Sequence, residues 1–222
     1  MTAPDGGLRA VRRVGDQAVL AELDGLPGVL ALRASLAADR PPGVGELVAA
    51  ATTLLVRYDP ALTDHAELRR ALADRARALA TGSVAPPAPA HAPLTIRVRY
   101  DGPDLAEVAA LTGLSVAEVV ARHTAPLYTV AFAGFAPGFG YLTGTDPVLH
   151  VPRRAEPRTA VPAGSVAVAG GFTGVYPRSS PGGWRLLGTT DAPLWDTDRD
   201  PPALLVPGRS VRFTAIGAGA AA

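Results

Sequence analysis

The sequence contains neither cysteine nor lysine. Without cysteine there is no disulfide framework, no thiol nucleophile and no thiolate metal site. Without lysine there is no Walker A contact to a phosphate, no Schiff-base amine and no attachment point for biotin. All 21 basic residues are therefore Arg. A nucleotide or tethered cofactor is expected to have its site on another chain, and none is expected to be bound by this one. Charge is almost balanced at +1, which argues against a nucleic-acid stripe or a polybasic membrane patch. No apolar run approaches membrane-spanning length. The opening MTAPDGGLRAVRRVGD has no apolar stretch before its charges, so no secretory signal is expected and a cytoplasmic protein is the default.

What the chain does have is concentrated in residues 134–190, where 57 positions hold 11 Gly and 7 Pro with Phe, Tyr, Trp and Arg between them. Gly turns or approaches closely where other residues cannot, and Pro fixes φ. This mixture reads either as rigid loops displaying a binding surface or as the turns of a loop-rich all-β core.

The fold class expected is α+β. Leu8–Arg13 and Ala18–Leu23 flank a Gly-Asp-Gln turn and read as a hairpin. Residues 26–38 place Leu26, Val29, Leu30, Arg33 and Leu36 at helical spacing. Two strands follow at Val44–Ala49 and Thr53–Tyr58. Asp64 and Glu67 form a capping box ahead of a helix with Leu68, Leu72, Ala76 and Leu79 on one face. The order ββαββα predicts a small sandwich over residues 1–80. Residues 81–93, TGSVAPPAPAHAP, read as an extended linker. Residues 94–222 read as a mostly antiparallel barrel. It opens on an alternating strand at 94–100 and continues through two short helices, capped by Asp104/Glu107 and Ser115/Glu118. Strands are predicted at 128–134, 160–170, 184–188 and 209–216. The GAGAAA tail is expected to fray.

Several residues carry chemistry. His123 is either an acid/base group or a partner of helix-terminal carbonyls. Arg153, Arg154 and Arg158, in PRRAEPR, suit a carboxylate or phosphate, against the alternative of solvated surface cations. Ser180, Gly182 and Gly183, in SSPGGW, offer hydroxyl and backbone donors to an oxyanion. Ser165 lies in GSVA, which lacks the G-x-S-x-G elbow of hydrolases. Phe135, Phe139, Tyr141, Tyr176 and Trp184 either line an apolar pocket with polar tips or fill a barrel core. No His/carboxylate cluster is present, so no metal site is expected.

These strings together resemble a known family, the B subunit of prokaryotic 5-oxoprolinase, also called allophanate hydrolase subunit 1 or KipI-like. The matching elements are His123, Tyr128-Thr129-Val130, Gly134-Phe135-x-Pro137-Gly138-Phe139-x-Tyr141-Leu142 and Pro152-Arg153-Arg154. They continue through Pro157-Arg158, Val161 to Val166, Gly174-Val175-Tyr176-Pro177 and Ser180-Pro181-Gly182-Gly183-Trp184. Phe172, Thr189, Asp191 and Gly140 depart from the family pattern, which commonly has Gln, Arg, Pro and Pro there.

The resemblance implies a cyclophilin-like β-barrel after the linker and a small α/β domain before it. It implies A and C subunit partners that together open 5-oxoproline to glutamate with ATP, the chain being inactive alone. It also implies alternatives. One is a carboxyltransferase-type subunit of urea or amide metabolism, with biotin on a partner. The other is a KipI-like histidine kinase inhibitor. Arg154 and Arg158 are expected to orient a carboxylate, and His123 to position or transfer a proton. Tyr128, Phe135, Pro137, Gly138, Phe139, Tyr141, Ser165, Tyr176, Ser180, Gly182, Gly183 and Trp184 are expected to bind substrate. Peptidyl-prolyl isomerase activity, suggested by barrel similarity alone, is the weakest of the readings, since fold does not fix chemistry.

Overall fold

A computed structural model describes residues 7–81 and 92–217. Most of the expected linker, and all but Gly217 of the tail, lie outside these residues. The chain divides into two compact units, Met1–Ala88 and Pro89–Ala222. No described helix is long and apolar enough to cross a membrane.

The first unit has strands β1 (Leu8–Val14), β2 (Ala18–Leu23), β3 (Val44–Ala49) and β4 (Thr53–Tyr58), with helices α1 (Leu26–Ala38) and α2 (His65–Ala80). The sheet is antiparallel in the order β1-β2-β4-β3. Inward Val19, Ala21, Leu54 and Val56 are fully buried against the two helices. On α2 the buried face is Leu68, Leu72 and Ala76, the predicted spacing. On α1 it is Val29, Leu32 and Leu36, so Leu32 takes the core place read for Leu30 and Arg33. Asp64 caps α2 by accepting the Glu67 amide at 2.8 Å. The Glu67 carboxylate turns to the Thr63 hydroxyl instead, leaving half a capping box.

The described residues of the second unit form helices α3 (Leu105–Thr112) and α4 (Val116–Thr124) and nine strands. These are β5 (Leu94–Val98), β6 (Tyr128–Ala133), β7 (Gly140–Thr143), β8 (Arg158–Val161), β9 (Ser165–Ala169), β10 (Phe172–Val175), β11 (Ser180–Gly182), β12 (Arg185–Thr189) and β13 (Ser210–Ala215). Seven of them form one sheet in the order β12-β9-β10-β7-β6-β13-β5. All pairs are antiparallel except β13 with β5. A bridge between Arg99 and Thr189 joins the two edges, so the sheet is a nearly closed barrel. Closure removes free edges. β8 and β11 form a separate two-stranded ladder.

Ile96, Val130, Leu142, Val166 and Phe213 fill the barrel interior. Val108, Val119, Leu149 and Leu187 form a second cluster under the helices. Phe139, Val161, Tyr176, Trp184 and Leu186 form a third beneath the β8–β11 ladder. The predicted strand over 160–170 is split by a turn, with Gly164 at φ +78 and no room for a side chain beside the Thr190 carbonyl. Strands β7, β10 and β11 are too short and Gly-rich to show a period in sequence.

Ser115 and Glu118 form the full reciprocal box expected at α4. Asp104 stands at the start of α3 but makes no side-chain cap bond. Its carboxylate is engaged elsewhere.

Candidate functional site

The turn between β6 and β7 is held by Gly134 N–H to Phe139 O at 3.2 Å and Phe139 N–H to Ala136 O at 2.9 Å. Phe135 within it adopts φ +69, rare and strained for a bulky side chain, and the residue is 58% exposed. Strain of this kind persists only where the surrounding structure fixes it. The turn delivers Phe135, Phe139 and Tyr141 to one side of a cavity of about 100 Å³. Tyr176, Trp184 and the Gly182–Gly183 backbone form the other side, and Arg153 completes the lining.

The rings meet edge to face. Phe139 lies 5.5 Å from Trp184 at 82° and 5.4 Å from Tyr176 at 72°. Phe135 stands 5.3 Å from Phe139 and 6.0 Å from Tyr176. Such contacts fix ring positions beyond what area burial supplies. Gly174 brings β10 close behind them, since a side chain there would touch Phe139 and Trp184. Burial pushes the Tyr176 hydroxyl up, partly offset by a hydrogen bond from the Trp184 amide and by the charge of Arg153.

Seven of the predicted binding residues thus share one cavity: Phe135, Phe139, Tyr141, Tyr176, Gly182, Gly183 and Trp184. The others do not line it. Pro137 and Gly138 shape the turn. Ser165 is buried in β9, opposite Thr189. Ser180 pairs with Val161 in the small ladder. Tyr128 is buried in the barrel and donates to the His123 carbonyl at 2.9 Å.

The three residues given chemical roles do not line the cavity. Arg158 donates through Nη1 and Nη2 to the two oxygens of Asp104 at 2.9 and 2.7 Å. Arg154 donates to the same Oδ1 at 3.1 Å. The Leu186 amide donates to Oδ2 at 2.8 Å. Arg185 pairs with Glu107 at 2.5 Å. The Asp104 side chain is only 3% exposed. Burial works against its charge, but hydrogen bonds from Arg158 and Leu186, with the charges of Arg158 and Arg154, hold its carboxyl below the usual range. Arg154 and Arg158 therefore pair with a carboxylate of this chain, Asp104.

His123 is fully buried, with Phe213 at 4.8 Å and Tyr128 at 5.6 Å between ring centres. Its Nδ1 is 2.7 Å from the Tyr100 hydroxyl and its Nε2 2.9 Å from Thr173 Oγ1. Thr173 gives its own proton to the Ala167 carbonyl at 3.0 Å, so Oγ1 accepts from Nε2–H and Nδ1 accepts from Tyr100. This chain of bonds fixes one neutral tautomer. Burial pushes the imidazole down to about 3. His123 orders the barrel and presents no proton to the cavity, which corrects the acid/base expectation.

The residue missed in sequence is Asp104, which read only as a helix cap; Arg153 was grouped with Arg154 and Arg158 as an anion-binding candidate but given no role of its own. Asp104 meets partners 50 and 54 positions away, a distance no local pattern carries. The departures from the family pattern are locally satisfied. Phe172 packs edge-on against Phe132 and Tyr141. Thr189 donates to Asp101 at 3.0 Å, and Asp191 lies 3.9 Å from Arg97. A side chain at Gly140 would strike Leu205 at 2.9 Å. Among the described residues no group of three or more His, Asp or Glu could hold a metal ion.

Comparison with known proteins places this geometry. Three curated proteins, each named as the B subunit of 5-oxoprolinase, match about half of the chain. That of Escherichia coli O157:H7 is 58% identical over 112 residues, 50% of this chain and 51% of its own. Those of Haemophilus influenzae and Bacillus subtilis are 47% and 49% identical over 116 and 115 residues, each 52% of this chain and 54% and 48% of their own. The matched segment spans about half the length of these relatives. A crystal structure of TTHA0988 superposes with a TM-score of 0.73 at 38% identity, covering 93% of this chain and 41% of that one. The Kluyveromyces lactis urea amidolyase shares the fold, with a TM-score of 0.67 at 16% identity over 97% of this chain and 15% of that one. The family described as "Carboxyltransferase domain, subdomain C and D" matches residues 9–205, and the chain belongs to that family.

Proposed function

We propose that this chain is the B-type subunit of an ATP-dependent 5-oxoprolinase, acting with A and C subunits to convert 5-oxoproline to glutamate. The observation that carries the reading is the 47–58% identity to three proteins named as B subunits of 5-oxoprolinase. The reaction breaks the lactam C–N bond. Water supplies hydroxide to the carbonyl carbon and a proton to the nitrogen, and ATP drives the opening.

The geometry supports a subunit that binds substrate and depends on others for chemistry. The chain has no Cys or Lys, and His123, the buried His among the described residues, is held neutral. No activated nucleophile faces the cavity, whereas an amidase acting alone needs one. Without a Walker A lysine, the nucleotide site is assigned to a partner.

The test is glutamate release from 5-oxoproline and ATP by the chain alone, by A and C subunits without it, and by all three. Release only from the complete mixture supports the reading. Release by the chain alone, or by A and C alone, refutes it. So does silence from a three-part complex that co-purifies. The family description favours one second reading, carboxyl transfer to a urea-type amide with biotin on a partner. Carboxylation of urea in place of glutamate release would select it.

A further inference from the structure

Three arginines fall within six positions, and their surroundings separate them. Asp104 is saturated: one oxygen receives Arg154 and Arg158, the other Arg158 and the Leu186 amide. Arg153 lines the cavity, is exposed, and makes no ion pair among the described residues. Its backbone neighbours are fixed. The Arg154 N–H donates to the Gly183 carbonyl at 2.8 Å, and Arg158 pairs with Gly182 across the β8–β11 ladder. Asp104 thus anchors the segment on the C-terminal side of Arg153 and ties it to the opposite wall. Four guanidinium groups, Arg153, Arg154, Arg158 and Arg185, stand here against the carboxylates Asp104 and Glu107 and Glu156 of the same segment, a surplus of one. The surplus is positive and favours an anion.

We propose that Arg153 is the anion-recognition residue of this cavity, which takes a small flat ring or amide bearing one carboxylate, with Asp104 as its positioning residue. The planar guanidinium matches a carboxylate with two parallel hydrogen bonds. The rings opposite offer faces and edges to a flat group. Size limits the rest. A cavity of about 100 Å³ is smaller than the roughly 150 Å³ that encloses a benzene ring. A five-membered ring has nearly the bulk of benzene, so a cavity of this size takes only part of it, with the rest and the carboxylate at the open rim, and a purine nucleotide is too large. In naming a cyclic amide acid the inference rests on the 5-oxoprolinase reading, while recognition of a carboxylate does not.

The test is calorimetric titration of the full chain with 5-oxoproline, with 2-pyrrolidinone, which is the same ring without the carboxylate, and with cyclopentanecarboxylate. The acids are expected to bind about tenfold or more tighter than the neutral lactam, the effect of a charged hydrogen-bonded pair. Arg153→Gln is expected to bring the acids down to the lactam's level and leave lactam binding unchanged. Arg212→Gln, a charge-matched change at an exposed position on β13, is expected to behave as the parent. Asp104→Asn, compared below its melting temperature, is expected to weaken the acids and spare the lactam. Binding of the acids by Arg153→Gln as by the parent overturns the proposal, as does no binding of either acid at millimolar concentration. Arg153-dependent binding of cyclopentanecarboxylate, from a chain whose complete mixture releases no glutamate, keeps the anion site and removes the 5-oxoprolinase reading.

Discussion

Asp104 engages Arg154 and Arg158 and leaves Arg153 without an ion pair among the described residues. Its carboxylate is almost inaccessible, while its Arg partners keep 23–30% of their side chains exposed. Removing one partner of such a pair leaves uncompensated charge, so Asp104→Ala is expected to cost about 3 kcal/mol in urea unfolding of the second unit. Because its folded carboxyl titrates below the ordinary range, its contribution is present above about pH 4 and lost as pH falls further. Asp104→Asn should remove that acid-sensitive part. His123 makes a different prediction. Its folded value near 3 lies far below the usual imidazole value of 6.5. Protonation therefore favours the unfolded chain, and stability declines from about pH 6.5 towards pH 3, with a slope of up to ~1.4 kcal/mol per pH unit. A His123→Gln chain should flatten the dependence of the urea midpoint between pH 7 and 4. An unchanged slope would contradict the buried neutral tautomer. At this scale the sequence was partly legible. The aromatic lining was visible because large rings among Gly and Pro are rare. The sorting of Arg153 from Arg154 and Arg158 was not, because a carboxylate at the start of α3 does it.

Glycine sets the limits of the elements. Gly188 lets β12 approach the first strand of the barrel where the edges close, and a side chain there would lie 2.2 Å from the Arg99 carbonyl. The paired bonds Arg99 N–H to Thr189 O and Thr189 N–H to Arg99 O, both 2.8 Å, depend on that approach. Gly188→Ala is expected to cost about 1–3 kcal/mol and to lower Tm by about 5 °C. An unchanged Tm would mean that closure carries little of the stability. Gly182 serves the cavity: an added Cβ would strike the Tyr176 ring and hydroxyl. Gly182→Ala is expected to push Tyr176 into the cavity and weaken ligand binding, read by the same titration, with a smaller effect on Tm. The elements most legible in sequence were those with long periods or caps, such as α2, the first hairpin and the Ser115 box. Strands of three to four residues in the second unit are defined by pairing with their neighbours, which alternation within a short Gly-rich run does not reveal.

At the scale of the molecule, the α+β architecture and the barrel followed from strand density and from the residues resembling the 5-oxoprolinase family. The site followed less completely. The loops of 134–190 do build a cavity, yet they are anchored through the start of α3, which precedes them and read as a plain capped helix. The account of function joins two claims: this chain is required for opening 5-oxoproline, and its cavity holds the substrate carboxylate through Arg153. The most direct measurement is the rate of glutamate release from 5-oxoproline and ATP by the complete mixture of subunits, with this chain either intact or carrying Arg153→Gln. The account predicts release with the intact chain and a KM about tenfold higher or more with the variant, since an ionic contact to substrate is lost. Equal KM and equal rate for the two chains would contradict it.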